Sequence, residues 1–162
     1  MAEENPQGAV PIAPPLGIYP ARLDEKGRLK LPEKFQRYLA GLPEKKLFVT
    51  STERHMATVY PMPIWMENQE LLANFRENPK AAKRVLFTAM ELGSEAEMDS
   101  QGRVLLSPEL RRELNIENKP VKVLAVKGAI QVMSEETFQE KRNQAMEHAE
   151  DDLEAVERAG FK

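Results

Sequence analysis

An Asp-x-x-Gly-Arg motif occurs twice in this chain, and its residues have the clearest capacity for chemistry. Its defining positions are Asp24, Gly27, Arg28, Asp99, Gly102 and Arg103. An Asp at the start of such a turn accepts hydrogen bonds from its own backbone, and the Gly tolerates a positive φ. The arginine carries a planar, permanently charged guanidinium that suits phosphate oxygens or a guanine edge. The motif therefore predicts two loops that Asp and Gly shape and from which Arg contacts an anionic partner.

The two predicted loops differ in their surroundings. Basic residues surround only the first loop, whereas Gln101 occupies the position in the second loop that Lys26 has in the first. We therefore expect Arg28 and Lys26 to make the main contacts with nucleic acid, and Arg103 to come next. The remaining candidates are Gln101, Arg22 and Lys30. The alternative is that each Asp simply forms an ion pair with the Arg of its own turn.

Other kinds of site find little support in the sequence. The chain has no cysteine, which excludes disulfides and thiolate metal sites, and its two histidines, His55 and His148, stand outside any cluster with metal-ligand spacing. Neither a nucleophile elbow nor a glycine-rich phosphate loop is present. We predict no catalytic residue, metal, cofactor or small-molecule substrate, and an enzyme is the least favoured class.

Charge is distributed unevenly along the chain. The net charge is −3, but residues 22–46 carry eight basic and four acidic side chains, and residues 139–162 carry four basic and seven acidic ones. DNA would meet the basic front of the chain, where phosphate contacts are possible. The sequence shows neither a signal peptide nor an apolar run long enough to cross a bilayer. We therefore expect a cytoplasmic protein with no membrane partner.

The motifs lie in two repeats of similar pattern. In the first, an alternating strand at residues 28–31 precedes a helix over 33–39 that Gly41 ends, and strands over 47–49 and 57–60 follow. The same order restarts at Met98, and Ser107-Pro108 begins its helix. An ordered series of matches indicates duplication of a supersecondary unit. The prediction is an α+β fold with two pseudo-symmetric βαββ-type repeats, over residues 18–64 and 93–136.

The segments outside the repeats are predicted to be helical or disordered. Residues 1–16 are rich in proline and predict a disordered arm. Residues 65–92 predict two linking helices, in which Trp65, Leu72 and Phe75 share one face and Asn78-Pro79 begins the second helix. A single helix is predicted from Glu135 to Arg158, and residues 137–162 are predicted to form the C-terminal helix and acidic tail.

The quoted residues also resemble those of a known family. The segments Leu23–Leu29, Tyr60–Trp65 and Leu92–Arg103 are similar to the MraZ family of bacterial transcriptional regulators, and the match covers about residues 17–138. The resemblance implies tandem SpoVT/AbrB-like repeats that form one swapped-hairpin β-barrel with flanking helices. It also implies a nucleoid-associated ring that binds direct repeats upstream of a division and cell-wall gene cluster, usually as a repressor. The family's DNA-contacting arginine corresponds to Arg28, with Arg103 as its counterpart.

Two other functions remain open from the sequence. The barrel could form a ring scaffold or protein-interaction module whose acidic C-terminal helix docks a partner, which suits the net negative charge. It could also be an AbrB-like antitoxin, although the intact second repeat argues against this reading. Binding to duplex DNA that weakens steeply as salt rises would favour the DNA-binding function over both.

Overall fold

The structure is a computed structural model that describes residues 12–162. Most of the predicted N-terminal arm, residues 1–11, lies outside the described residues, and Ile12–Leu16 has no regular secondary structure. The strands are β1 Tyr19–Leu23, β2 Arg28–Lys30, β3 Leu47–Thr50, β4 Met56–Pro61, β5 Ser94–Ala96, β6 Arg103–Leu105, β7 Pro120–Val126 and β8 Ala129–Ser134. The helices are α1 Glu33–Ala40, α2 Met62–Ala73, α3 Pro79–Leu92, α4 Pro108–Leu114, α5 Glu135–Glu147 and α6 Ala149–Glu157.

The strands form one antiparallel sheet in the order β5-β3-β4-β8-β7-β1-β2-β6, which curls into a nearly closed barrel. The two repeats interleave in this sheet. The first strand of each repeat pairs with the third strand of the other, β1 with β7 and β5 with β3. The prediction of an α+β swapped-hairpin barrel with flanking helices is confirmed. A short strand before each Asp-x-x-Gly-Arg turn, β1 or β5, extends the βαββ pattern of each repeat.

A pseudo-twofold axis relates the repeats. Where β2 pairs with β6, Leu29 lies opposite Val104, its own equivalent in the other repeat. Where β4 pairs with β8, Thr58 likewise lies opposite its equivalent, Gln131. The two Asp-x-x-Gly-Arg turns, which precede β2 and β6, therefore lie on either side of the pseudo-twofold axis.

Both repeats contribute to one hydrophobic core. Leu29 and Val104 point inward and are fully buried, as are Phe35 of α1 and Leu110 of α4. Along β4, buried residues alternate with partly exposed ones, which is the period of a strand with one face toward the core. Because the strands of the two repeats interleave around this core, neither repeat encloses its apolar residues alone.

The second linking helix begins where the sequence predicted, at Asn78-Pro79, whereas α2 begins at Met62, before the predicted linking segment. The side chain of Asn78 accepts a hydrogen bond from the Ala81 N–H at the start of α3, and Trp65 of α2 packs its ring 4.7 Å from that of Phe48. The prediction for Phe75 was wrong, because α2 ends at Ala73 and Phe75 follows it with 36% of its surface exposed. A residue outside the helix does not follow the helical period.

The prediction of a single C-terminal helix was also wrong. The helix breaks at His148, whose backbone lies at φ −113° and ψ 13°, and α6 starts anew behind it. Three acidic residues occupy the first turn of α6, where the positive end of the helix dipole favours negative charge.

Within residues 12–162, no helix has both the length and the apolar character needed to cross a membrane.

Candidate nucleic-acid interface

Each Asp-x-x-Gly-Arg turn is held together by its aspartate. Asp24 Oδ1 accepts hydrogen bonds from the N–H groups of Lys26 and Arg28, both at 2.9 Å, and Oδ2 accepts one from Arg28 Nε at 2.8 Å. Gly27 provides the positive φ, +84°, that closes the turn. The backbone N–H of Arg28 is the main reason why the pKa of Asp24 is lowered. The turn is therefore fixed by bonds within five residues.

The second turn repeats this geometry. Asp99 accepts hydrogen bonds from the N–H groups of Gln101 and Arg103, both at 2.9 Å, and from Arg103 Nε at 2.8 Å. Its pKa is likewise lowered, chiefly by the backbone N–H of Arg103. In both turns the only nitrogen of the arginine side chain that donates to the aspartate is Nε, among the described residues. Within the described part of the chain, the terminal guanidinium nitrogens of Arg28 and Arg103 make no hydrogen bond, so they are available to another acceptor.

Strand pairing brings three cationic residues, one of them the turn residue Arg103, into one row. Arg22 of β1 is the register partner of Lys30 of β2, and Lys30 is the register partner of Arg103 of β6. All three lie on the outer face of the barrel, opposite the inward-pointing Leu29 and Val104. Since neighbouring strands are about 4.8 Å apart, the row spans about 10 Å. We call Arg22, Lys30 and Arg103 the basic row.

The pseudo-twofold axis maps the basic row onto a very different set of side chains. The equivalents of Arg22, Lys30 and Arg103 in the other half are Glu97, Leu105 and Arg28. Leu105 is 51% exposed on the outer face, opposite Arg28. One half of the face therefore carries three cations, and the other carries one acid, one apolar residue and one cation.

The remaining predicted residues lie at the edges of this face. Lys26 and Gln101 are exposed at equivalent positions in the two turns. Lys30 Nζ donates to the Gln101 carbonyl, and Arg22 Nη2 donates to the Asn118 carbonyl at 3.2 Å. The structure thus brings all six predicted contact residues, and the four loop-shaping ones, onto one side of the barrel.

Sequence reasoning missed two residues that support the turns. Arg111 of α4 packs on the first turn, where Nη1 donates to the Leu106 carbonyl at 2.7 Å and to the Lys26 carbonyl at 3.5 Å. Its side chain is only 12% exposed, and Nε donates to Glu117 at 3.0 Å. Gln36 of α1 lies against Gly102 of the second turn, and its Nε2 donates to the Leu31 carbonyl of its own repeat at 2.7 Å. The helix of each repeat thus supports the turn of the other repeat.

One signal in the sequence does relate these two residues. Gln36 and Arg111 occupy the same position in the two repeats, one residue after Phe35 and Leu110. Their proximity to the glycines is tight, because a Cβ added to Gly27 would lie 1.5 Å from Arg111 Nη1 and one added to Gly102 would lie 2.1 Å from Gln36 Cδ. No pattern along the chain indicates that they cross to the other repeat.

The face offers hydrogen-bond donors and positive charge rather than reactive groups. Across residues 12–162, no three His, Cys, Asp or Glu side chains are grouped so that they could hold a metal ion. An open hollow of about 530 Å³ lies beside the basic row, lined in part by Arg22, Lys30 and Gln36. Guanidinium and ammonium donors at this spacing can bind an extended anionic surface.

Comparison with known proteins shows which family this chain resembles in sequence. Residues 93–159 match the family model for the MraZ protein, described as antitoxin-like. The chain is 35% identical over 136 residues to a transcriptional regulator MraZ from Acidobacterium capsulatum, covering 84% of this chain and 92% of that protein. It is 35% identical over 131 residues to the protein of the same name from Herpetosiphon aurantiacus, covering 76% and 83%. A Nocardia farcinica relative of that name is 40% identical over 103 residues, covering 62% and 68%.

Proposed function

This chain belongs to the MraZ family and is a transcriptional regulator, and we propose that it acts by binding duplex DNA through the outer face of β1, β2 and β6. The observation that carries the proposal is the basic row. Arg103 is far from Arg22 and Lys30 in the sequence, yet strand register sets the three side by side on the outer face of the barrel. Clustered Lys and Arg are what phosphate contacts require.

The dimensions of the face suit a duplex. A row about 10 Å long is comparable to the major groove, which is about 12 Å wide. Arg28 and Arg103 are held by Nε, so their outer nitrogens are pre-oriented and less side-chain freedom is lost when they bind. Asp24 and Asp99 accept several N–H groups each, which offsets part of their repulsion of phosphate. In this proposal, Arg28 and Lys26 extend the contact beyond the row.

The unequal halves of the face give it a direction. A symmetric face would bind a DNA box equally well in either orientation, but here the cations of one half face an acid and Leu105 in the other. We expect each barrel to read its box in one orientation. Boxes arranged as direct repeats then match several barrels that point the same way around a closed ring. Weak single contacts gain strength from such multivalency.

The regulation that we propose follows from this binding. A ring that occupies direct repeats upstream of its own division and cell-wall gene cluster would obstruct transcription there, so the chain would repress its own expression. We expect the protein to associate with the nucleoid for the same reason. Neither a cofactor nor a catalytic step enters this function.

The antitoxin-like description of the matching family favours a second candidate, in which the acidic C-terminal helices bind another protein. We favour DNA binding because the basic row lies on a surface that both repeats build together. The two functions use opposite ends of the charge distribution.

The test is binding of the purified chain to a duplex from the region upstream of its own gene, measured by fluorescence anisotropy at several salt concentrations. Arg28→Ala should weaken binding about 5- to 150-fold, the range for losing one well-oriented arginine contact, and should make the salt dependence shallower. Arg37→Ala is the matched control, since Arg37 lies on α1 in a surface pair with Glu33. Equal affinity of the Arg28 variant and wild type would refute the assignment of this face.

A further inference from the structure

A cleft of about 270 Å³ lies on the outer face of the barrel, where β4 pairs with β8. Its polar wall residues come from β4, from α2 and from the hairpin of β7 and β8; they are Thr58, Tyr60, Asn68, Lys127 and Gln131. The pseudo-twofold axis passes between Thr58 and Gln131 and also between β2 and β6. The cleft therefore lies on the opposite side of the barrel from the basic row.

The space in the cleft exists because one residue beside it is small. Val59 of β4 is paired with Ile130 of β8, so Tyr60 and Ala129 come next on the two strands. Ala129 ends at its Cβ, which leaves room over the sheet beside the Tyr60 ring. That ring is held in place by Trp65, with 5.3 Å between the ring centroids. The cleft thus has a small residue at its floor and an aromatic ring as a fixed wall.

The polar side chains around the cleft have few partners of their own. Among residues 12–162, the amides of Asn68 and Gln131 and the ammonium group of Lys127 make no side-chain hydrogen bond, and no acidic residue lines the cleft. The Tyr60 hydroxyl adds a donor at neutral pH, because burial raises its pKa and the Thr58 hydroxyl offsets this only in part. The cleft therefore offers several donors and one positive charge without a carboxylate to accept from them.

The cation of the cleft stands where the backbone favours other residues. Lys127 and Gly128 join β7 to β8 with φ values of +53° and +86°, the signs of a type I′ turn. Asn or Gly is the usual first residue of such a turn, because most other side chains are strained in the left-handed region. Residues held in such conformations are concentrated at functional sites. A lysine here is less stable than an asparagine would be, which indicates a use for its charge.

The walls of the cleft select the chemistry of a ligand. Ammonium, amide and hydroxyl donors suit a carboxylate, and one lysine matches one negative charge. A phosphate group carries about two charges at pH 7, of which this cleft would match only one. The rest of the wall is apolar, from Ile64, Val126 and Ala129. The volume is slightly below the range of about 300–1,000 Å³ that drug-sized ligands occupy, so the ligand is small.

We propose that this cleft binds a small monocarboxylic acid, with its carboxylate among Lys127, Asn68 and Gln131. The apolar part of the acid would lie against Ile64 and Val126. Because the walls belong to β4, α2 and the β7–β8 hairpin, the ligand would join elements of both repeats and stabilise the folded chain. The site makes no use of the basic row and does not depend on the proposed function.

Benzoate and butyrate are the probes, and benzamide and butyramide are their uncharged controls of the same shape. Titration of the full chain, followed by saturation-transfer difference NMR of the small molecule, gives the affinity. Benzoate should bind with a Kd of about 10 mM or lower, as expected for a ligand of its size. Each amide should bind at least about tenfold more weakly than its acid, because the charge-assisted bonds are lost. Inorganic phosphate should not displace benzoate at equal ionic strength.

Lys127→Asn is the decisive variant, because turn geometry and ligand binding predict different effects. Asparagine suits the positive φ, so the midpoint of urea unfolding should equal or exceed that of wild type. Benzoate binding should nevertheless weaken at least about tenfold. Lys141→Asn removes an exposed lysine of α5 and is the matched control, which should bind benzoate as wild type does.

A second variant covers the case in which Lys127→Asn lowers the urea midpoint. Gln131→Glu keeps the size of the side chain and places a negative charge beside the carboxylate, so benzoate binding should be lost. The proposal is overturned if neither acid binds wild type saturably, if acids and amides bind equally, or if phosphate displaces benzoate. Wild-type affinity for benzoate in Lys127→Asn or in Gln131→Glu would overturn it as well.

Discussion

Arg111 is predicted to couple energetically to Gly27, although the two residues belong to different repeats. Alanine at position 27 would place its Cβ 1.5 Å from Arg111 Nη1, so the guanidinium would have to leave the turn. The turn would also have to hold alanine at φ +84°, which costs about 1–2 kcal/mol. Displacing Arg111 loses a charge-assisted bond to the Leu106 carbonyl, worth about 1.5–3 kcal/mol. Gly27→Ala should therefore destabilise the fold by about 2.5–5 kcal/mol.

The double variant provides the sharper measurement. Arg111→Ala alone should cost about 1.5–3 kcal/mol, because it removes the same bond. Once Arg111 is gone, alanine at position 27 meets no guanidinium and adds only the cost of its backbone conformation. The double variant should therefore be no less stable than Gly27→Ala alone, with a coupling of about 1.5–3 kcal/mol. Urea unfolding at a single protein concentration gives each free energy.

The second turn offers a matched control. Alanine at Gly102 would displace Gln36, whose bond to the Leu31 carbonyl is between neutral groups. Such a bond contributes about 0.5–1.5 kcal/mol, so the coupling of Gly102→Ala to Gln36→Ala should be smaller. Additivity within about 0.5 kcal/mol for Gly27 and Arg111 would refute the reasoning that α4 supports the turn of the other repeat.

Three further predictions concern other levels of the structure. The pKa values of Asp24 and Asp99 are lowered on folding, so the stability that these carboxylates contribute is present above the unfolded value of 3.8 and is lost as pH falls through the lowered values. In acid titrations of unfolding, the difference in free energy of unfolding between wild type and the double variant Asp24→Asn/Asp99→Asn should therefore shrink below about pH 4. A difference that stays constant with pH would contradict this. Phe35→Ala should lower the free energy of unfolding in urea by about 3–5 kcal/mol, because the fully buried ring of Phe35 lies in the core that both repeats share. A decrease below about 1 kcal/mol would show that this ring is not packed as described. Leu105→Lys should make the less basic half of the proposed DNA face more similar in charge to the basic row, and so reduce the preference for one orientation of the box. Fluorescence anisotropy measures this with two duplexes that carry the same box in opposite orientations. An unchanged ratio of the two affinities would count against the directional face.

Local signals in the sequence predicted most of the elements. The starts of α3 and α4 were identified from Asn78-Pro79 and Ser107-Pro108, and in both the capping side chain accepts a hydrogen bond from a residue three positions on. These interactions involve neighbours in the chain, so the sequence displays both partners together. The same reasoning failed for Phe75, where the helix ended sooner than its apolar spacing suggested, and at His148, where two helices follow one another within a single polar stretch.

The sequence by itself determined that two repeats exist and that each forms an Asp-x-x-Gly-Arg turn, because among residues 12–162 the side chains of Asp24 and Asp99 bond only to residues within four positions. Only the tertiary structure decided what those turns adjoin. Arg22, Lys30 and Arg103 form one row because β2 pairs with β6, and Arg111 reaches the first turn across 85 positions of sequence from Lys26. Such neighbours are set by the interleaved pairing of strands around a shared core, which no local period encodes. The same pairing turns two nearly equal motifs into one face with unequal halves.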